Sequence, residues 1–254
     1  MKLSFLGTGS AFTVGDGNYQ SNMILETDEG KKLLIDCGTD IRFSLYNMNM
    51  SYLDISDIYI SHLHADHVGG LEYIGLNRKF DPRCGPTRIF ISEIFRDSLW
   101  MSVQKGLKYV EGEITDINSF FEIIYLKKDG SFEWEGINFK LIDCVHMHNG
   151  FFPVPSFGLL FKIGDTETFI TTDTQYTFDN LKEYYESADI IFHDCETSKN
   201  KSGVHAHFDE LKHLPPEYKS KMWLYHYHPG KLPDAQKEGF KGFVEIGQEF
   251  RYEN

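Results

Sequence analysis

The chain of 254 residues is short of several things at once. No apolar run approaches the roughly 20 residues that a membrane-spanning helix requires, so no such helix is expected. Basic residues are scarce: 25 lysines and arginines stand against 38 acidic residues, for a formal net charge of −13. A protein that grips a long nucleic acid through many phosphate contacts normally presents a basic surface, so such a partner is disfavoured. A small phosphate ester remains compatible, because bound cations can reverse the local field. The four cysteines, Cys37, Cys84, Cys144 and Cys195, are scattered and form no CxxC pair. They read as reduced, mostly buried thiols of a cytoplasmic protein. The opening Met1–Gly9 stretch is too short and too broken by glycine for a signal peptide. No internal repeat, low-complexity tract or Pro/Ser-rich linker interrupts the chain, so residues 1–254 read as one domain.

What the sequence does have is Ser61-His62-Leu63-His64-Ala65-Asp66-His67, placed directly after the apolar run Ile58–Ile60. The run reads as a buried strand, and Val68-Gly69-Gly70-Leu71 as the start of a helix. Imidazoles and a carboxylate crowded at a strand end either repel as cations or share one, and borderline metals such as zinc favour these ligands. Other donors stand at similar places. His146 comes at the end of the apolar stretch that starts at Ile137, Asp173 after Thr168–Thr172, and His226 after Met222–Tyr225. Strand ends along one sheet edge can gather residues that are remote in sequence. His148 and His228 compete with His146 and His226, and the earlier member of each pair directly follows its strand.

The periodicity is that of a mixed α/β chain. Strands are expected at Lys2–Leu6, Met23–Leu25, Lys32–Asp36, Arg88–Ile91, Phe120–Leu126, Phe132–Trp134, Ile137–Ile142, Phe157–Ile163 and Asp189–Phe192. Helices are expected at Ile41–Asn47, Leu71–Phe80, Leu181–Ser187 and Asp209–His213, with apolar residues recurring at helical spacing from Ile94 to Leu107. Gly7-Thr8-Gly9-Ser10 is a strand-end turn rather than a phosphate loop, and residues 15–18 form a second turn.

The His-x-His-x-Asp-His run after a strand resembles the signature of the metallo-β-lactamase superfamily of hydrolases. The resemblance implies an αββα sandwich of two mixed β-sheets flanked by helices. It implies two divalent cations, zinc first, with manganese or iron as the other candidates. His62, His64 and His146 would hold one, Asp66, His67 and His226 the other, and Asp173 would bridge them. Asp36 would bond backbone around the metal loop, and Asp66 would also count among the catalytic residues. Leu6–Ala11, Asp36-Cys37-Gly38 and His193-Asp194-Cys195-Glu196-Thr197 are similar to tRNase Z-type phosphodiesterases. The short stretch between His146 and Asp173 leaves no room for the long tRNA-gripping arm of that branch. Pro155–Leu159 and Ser202–Leu211 look closer to the anti-Pycsar enzymes of phages and bacteria. That likeness implies hydrolysis of 3′,5′-cyclic nucleotides (cyclic CMP and UMP, with cyclic AMP and GMP as further candidates) to 5′-monophosphates, countering Pycsar signalling, by a homodimer. The alternative is tRNA 3′-end processing. His205 is the leading candidate to protonate the leaving group, with His193 and His207 behind it, since a near-neutral imidazole suits that task. Phe151, Phe152, Phe157, Tyr176 and Tyr227 are candidates to stack on a base.

Overall fold

The computed structural model describes residues 1–15 and 17–253; Asp16, in the turn expected at 15–18, and Asn254 lie outside them. Two compact units divide these residues. The first comprises Met1–Gly7, Tyr19–Lys128 and Ile246–Arg251. Its strands are β1 (Lys2–Phe5), β2 (Met23–Glu26), β3 (Lys32–Ile35), β4 (Asp57–Ile60), β5 (Thr87–Ser92), the small hairpin β6 (Tyr109–Val110) and β7 (Glu113–Ile114), and β8 (Phe121–Leu126). A seven-stranded mixed sheet runs from the C-terminal segment Glu249–Arg251 through β1, β2, β3, β4 and β5 to β8. The pairing is antiparallel as far as β3 and parallel from β3 to β8. The apolar strands β3 and β4 are buried along nearly their whole length, as parallel strands covered on both faces must be.

The helices of this unit are α1 (Ile41–Asn47), α2 (Ala65–Val68), α3 (Leu71–Phe80) and α4 (Arg96–Leu107). On α3 the buried positions are Leu71, Ile74, Gly75 and Arg78, the spacing of a single helical face. Gly75 is the contact point: a Cβ there would meet the ring of Phe121 on β8. Arg78 is buried, with Nη1 donating to the Tyr52 carbonyl and Nη2 to that of Gly85. Helix α2 starts three residues earlier than the sequence suggests. The His64 carbonyl accepts from the amides of His67 and Val68, so Asp66 and His67 ride on a helical turn rather than a loop.

The second unit comprises Thr8–Asn18, Asp129–Glu245 and Tyr252 onwards. Its strands are β9 (Ser131–Trp134), β10 (Ile137–His148), β11 (Pro153–Ile163), β12 (Thr166–Ile170), β13 (Ile190–Asp194), β14 (Met222–Tyr225) and β15 (Gly242–Phe243). They form a seven-stranded sheet in reverse chain order, from β15 to β9. The β9–β12 part is an antiparallel meander, and β12 to β15 run parallel. Helices α5 (Phe178–Ser187), α6 (Phe208–Leu211) and α7 (Pro216–Lys219) share one core with the sheet, where Leu181, Tyr185, Leu211 and Tyr218 pack among Ile191, Met222 and Leu224. Full burial of each aliphatic side chain there contributes on the order of 1.5–3 kcal/mol.

Strand β10 is longer than the apolar pattern indicates. It continues through Val145-His146-Met147-His148, so His146 lies inside the strand. The register with β11 shifts between Val145 and Met147, a β-bulge centred on His146. Among the described residues no helix is long and apolar enough to cross a membrane.

Candidate metal centre

In the first unit, the end of β4 delivers the donors. Asp36, just past β3, anchors them: its Oδ1 accepts the Ser61 amide at 2.8 Å, and its Oδ2 accepts the Ser61 hydroxyl at 2.8 Å. The same Oδ2 lies 2.7 Å from His67 Nδ1, so that nitrogen carries the proton and Nε2 keeps its lone pair. Ser61 Oγ, having given its proton to Asp36, accepts from His62 Nδ1 at 3.0 Å, which leaves His62 Nε2 with its lone pair too. His62 Nε2 and His64 Nδ1 are 3.0 Å apart, and His67 Nε2 and Asp66 Oδ2 are 3.1 Å apart. Two ligands on one tetrahedral zinc ion stand about 3.3 Å from each other, given bonds of about 2.0–2.1 Å. Both pairs fit that spacing. Asn22 ties the turn together, donating to the Asp66 carbonyl and accepting the Gly38 amide.

In the second unit the donors follow parallel neighbours. Asp173 comes after β12, Asp194 ends β13 and His226 follows β14. Buried Asp173 presents one oxygen to each of two histidines: Oδ2 lies 3.7 Å from His146 Nε2, and Oδ1 lies 3.6 Å from His226 Nδ1. A carboxylate so placed can bridge two cations. His146 Nδ1 donates to the Val204 carbonyl at 2.9 Å, which again reserves Nε2 for a ligand role. The ligating atoms of Asp194, His205 and His226 lie within 4.8 Å of one another. Several of these residues hold left-handed backbone, with φ of 61° at Asp36, 53° at Thr172 and 64° at His226. Such strain persists where the surroundings over-determine the conformation, as at ligand clamps.

His205 Nδ1 donates to Asp194 Oδ2 at 2.8 Å, and its ring stacks on that of His226 with centroids 4.8 Å apart. Burial pulls the His205 pKa down, but the charge and hydrogen bond of Asp194, with Asp173 and Glu196 beyond, push it up to about 10. Asp194 is itself fixed, its Oδ2 accepting the Thr174 amide and its own amide donating to Thr171 Oγ1. His193 is differently placed. It is buried, with Nδ1 donating to the Asp194 carbonyl at 2.6 Å and Nε2 accepting from the Tyr185 hydroxyl at 2.7 Å. Burial holds its pKa below the usual value despite the nearby carboxylate. His207 is also committed, Nδ1 accepting the Asp209 amide and Nε2 donating to the Ser198 carbonyl to cap α6. His148 is exposed at the end of β10, while His228 is half-buried with its pKa lowered by burial.

Two residues that sequence patterns do not single out prove central here. Asp194 orients His205, and Glu196 accepts from Ser198 and Ser202 in the loop that leads to His205. In the sequence they stand within the His193–Thr197 stretch at a strand end, with nothing to assign either a role of its own. Of the aromatic candidates, Phe157 is fully buried in β11 and Tyr227 bonds Thr8 and Val244, whereas Phe151 and Phe152 are exposed at the β10–β11 tip.

Carboxylates and imidazoles with reserved lone pairs, at spacings that suit a first-row ion, fit a divalent metal. The structure is similar to the metallo-β-lactamase fold protein YhfI from Bacillus subtilis, with a TM-score of 0.76 at 15% identity, over 98% of this chain and 99% of that one. It is also similar to a diphosphatase of the PhnP family, with a TM-score of 0.73 at 20% identity, over 99% and 98% of the two chains. Fold and donors together define a metal-binding hydrolase of the metallo-β-lactamase fold, with two mixed sheets and flanking helices. A family model described as anti-Pycsar protein Apyc1 matches residues 1–250. The anti-Pycsar protein Apyc1 of Paenibacillus harenae is 32% identical over the full length of both chains. The chain belongs to the anti-Pycsar Apyc1 family.

Proposed function

We propose that this protein is a cyclic nucleotide phosphodiesterase that opens 3′,5′-cyclic nucleotides, cyclic CMP and UMP foremost, to 5′-monophosphates and so counters Pycsar signalling. The observation that carries this reading is the full-length match to the anti-Pycsar family by a chain that keeps its donors in reserved tautomers. The acidic balance, with a net charge of −13, supports a small substrate over tRNA.

In this reading His62, His64 and His146 hold one divalent cation, Asp66, His67 and His226 hold a second, and Asp173 serves both. Zinc is the first choice, with manganese and iron as alternatives. Such a pair supplies a nucleophile from water near neutral pH and offsets the charge that builds on the phosphoryl group in the transition state. The chain's own groups do the rest. Asp36 and the Val204 carbonyl orient His67 and His146, and His205, kept protonated by Asp194, delivers a proton to the departing ribose oxygen. A homodimer belongs to the same reading; exposed Met101, Tyr109 and Ile114 on α4 and the β6–β7 hairpin support a second copy as their cover.

Zinc- or manganese-loaded protein incubated with cyclic CMP, UMP, AMP and GMP, beside a precursor tRNA, provides the test. Monophosphates should form from the cyclic nucleotides and the tRNA should persist. Inertness towards all four, with cleavage of the tRNA, would return the tRNase Z reading.

A further inference from the structure

Between β13 and α6 the chain crosses a stretch of exposed polar residues, Lys199-Asn200-Lys201-Ser202-Gly203. Nothing in that composition orders a loop. Yet its far end must present two groups accurately: the Val204 carbonyl that holds His146 and the His205 ring that meets Asp194. The order comes from Glu196, whose side chain is almost completely buried. Its Oε1 accepts the Ser198 hydroxyl at 2.6 Å and the Ser202 amide at 3.1 Å. Its Oε2 accepts the Ser202 amide at 2.9 Å and the Ser202 hydroxyl at 3.0 Å. Ser202 Oγ in turn accepts the Val204 amide at 3.2 Å. The Glu196 main chain closes the loop from the other side, its amide donating to the Ala206 carbonyl and its carbonyl accepting from the Phe208 amide.

A continuous path of hydrogen bonds therefore runs from Glu196 through Ser202 and Val204 to the Nδ1 of His146. We infer that Glu196 is a positioning residue: its buried carboxylate folds residues 197–205 into the one shape in which Val204 sets the tautomer and aim of His146 and His205 reaches Asp194. This inference rests on the reading of His146 as a metal ligand. A carboxylate suits the task because it offers only acceptors, and the Ser198 and Ser202 groups that meet it are donors from one loop. An amide at the same place would turn an N–H₂ group towards a serine hydroxyl or amide, and the turn would open.

Glu196→Gln and Ser202→Ala, with Asp209→Asn at an exposed position of α6 as control, test this in the full-length protein. Zinc affinity is measured by competition with a chromophoric chelator, and hydrogen exchange of residues 197–205 is followed in metal-free protein. Outer partners of metal-bound histidines typically set affinity by about 10–100-fold. Both variants should bind zinc about tenfold more weakly or worse, and the loop should exchange faster, while Asp209→Asn matches the unaltered chain. Ser202→Ala, an exposed change that removes only the hydroxyl link, keeps the test valid should Glu196→Gln fold poorly. Parental zinc affinity and exchange in both variants would overturn the positioning role while leaving the ligand reading intact. Failure of the unaltered chain to take up zinc would instead overturn the ligand reading, and this inference with it.

Discussion

The Asp194 carboxylate lies 2.8 Å from Nδ1 of His205, and that contact outweighs burial to keep the imidazole charged at neutral pH. A histidine whose folded pKa is raised stabilises the fold fully below its unfolded value of 6.5, and the stabilisation is lost as pH rises through about 10. Metal-free protein should therefore lose stability across that alkaline window in denaturant titrations. Asp194→Asn should flatten the dependence there, and an unchanged alkaline slope would contradict the assignment.

His205→Ala should slow cyclic nucleotide hydrolysis by about 10²–10⁴-fold, the usual worth of a general acid. Activated aryl phosphodiesters, whose leaving groups need no proton, should suffer far less. Comparison of kcat for cyclic CMP and bis-p-nitrophenyl phosphate measures the split; equal losses would exclude a proton-donor role. Asp66→Ala and His64→Ala should abolish both activities while circular dichroism still reports a folded chain.

Replacing Asp36 strands three buried donors: the Ser61 amide, the Ser61 hydroxyl and His67 Nδ1. Each unsatisfied buried group costs about 1–3 kcal/mol, so Asp36→Ala should lower unfolding free energy by roughly 3 kcal/mol or more. Asp36→Asn should be milder, since asparagine tolerates the left-handed backbone at this position and keeps one acceptor oxygen. Chemical denaturation of both variants orders them.

His193 is held neutral by burial, so its contribution is present above pH 6.5 and is lost as pH falls from there towards its lower folded value. His193→Phe should weaken that acid-side loss of stability. It should also cost about 1–3 kcal/mol at neutral pH, because the Tyr185 hydroxyl loses its partner. Unfolding titrations at pH 5 and pH 7.5 separate the two effects, and an acid-side loss as steep as in the parent would show that another group causes it.

Gly38 packs directly against the Asp66 carbonyl, and a Cβ there would collide with that backbone oxygen and with the Gln20 side chain. Gly38→Ala should therefore displace the turn that carries Asp66 and His67. Zinc uptake should fall more steeply than melting temperature does; a variant that binds zinc like the parent would show that the turn tolerates the shift.

Sequence legibility followed locality. Leu71–Phe80 and Met222–Tyr225 appear with the bounds expected for them, because a helical face and an apolar run are encoded by neighbours. The metallo-β-lactamase fold, and the family within it, were legible from motifs that are equally local. The donors at 62–67 stand out for the same reason. What pattern reading could not supply was pairing at a distance. The C-terminal Glu249–Arg251 and Gly242–Phe243 are too short to signal strands, and they exist because β1 and β14 offer open edges. Three histidines at 193, 205 and 207 look alike in sequence. Only their partners, Tyr185, Asp194 and the Ser198 carbonyl, tell them apart.

The bulge at His146 bears on how this chain can vary in length. Because strand residues alternate faces, adding or deleting one residue between Ile137 and Val145 would turn every side chain that follows, His146 included, to the opposite side of the sheet. Indels at the exposed Asn149–Phe152 tip lie beyond that point and leave the histidine's aim untouched. Loop grafts and epitope tags therefore belong at the tip, and the stem should be carried over residue for residue.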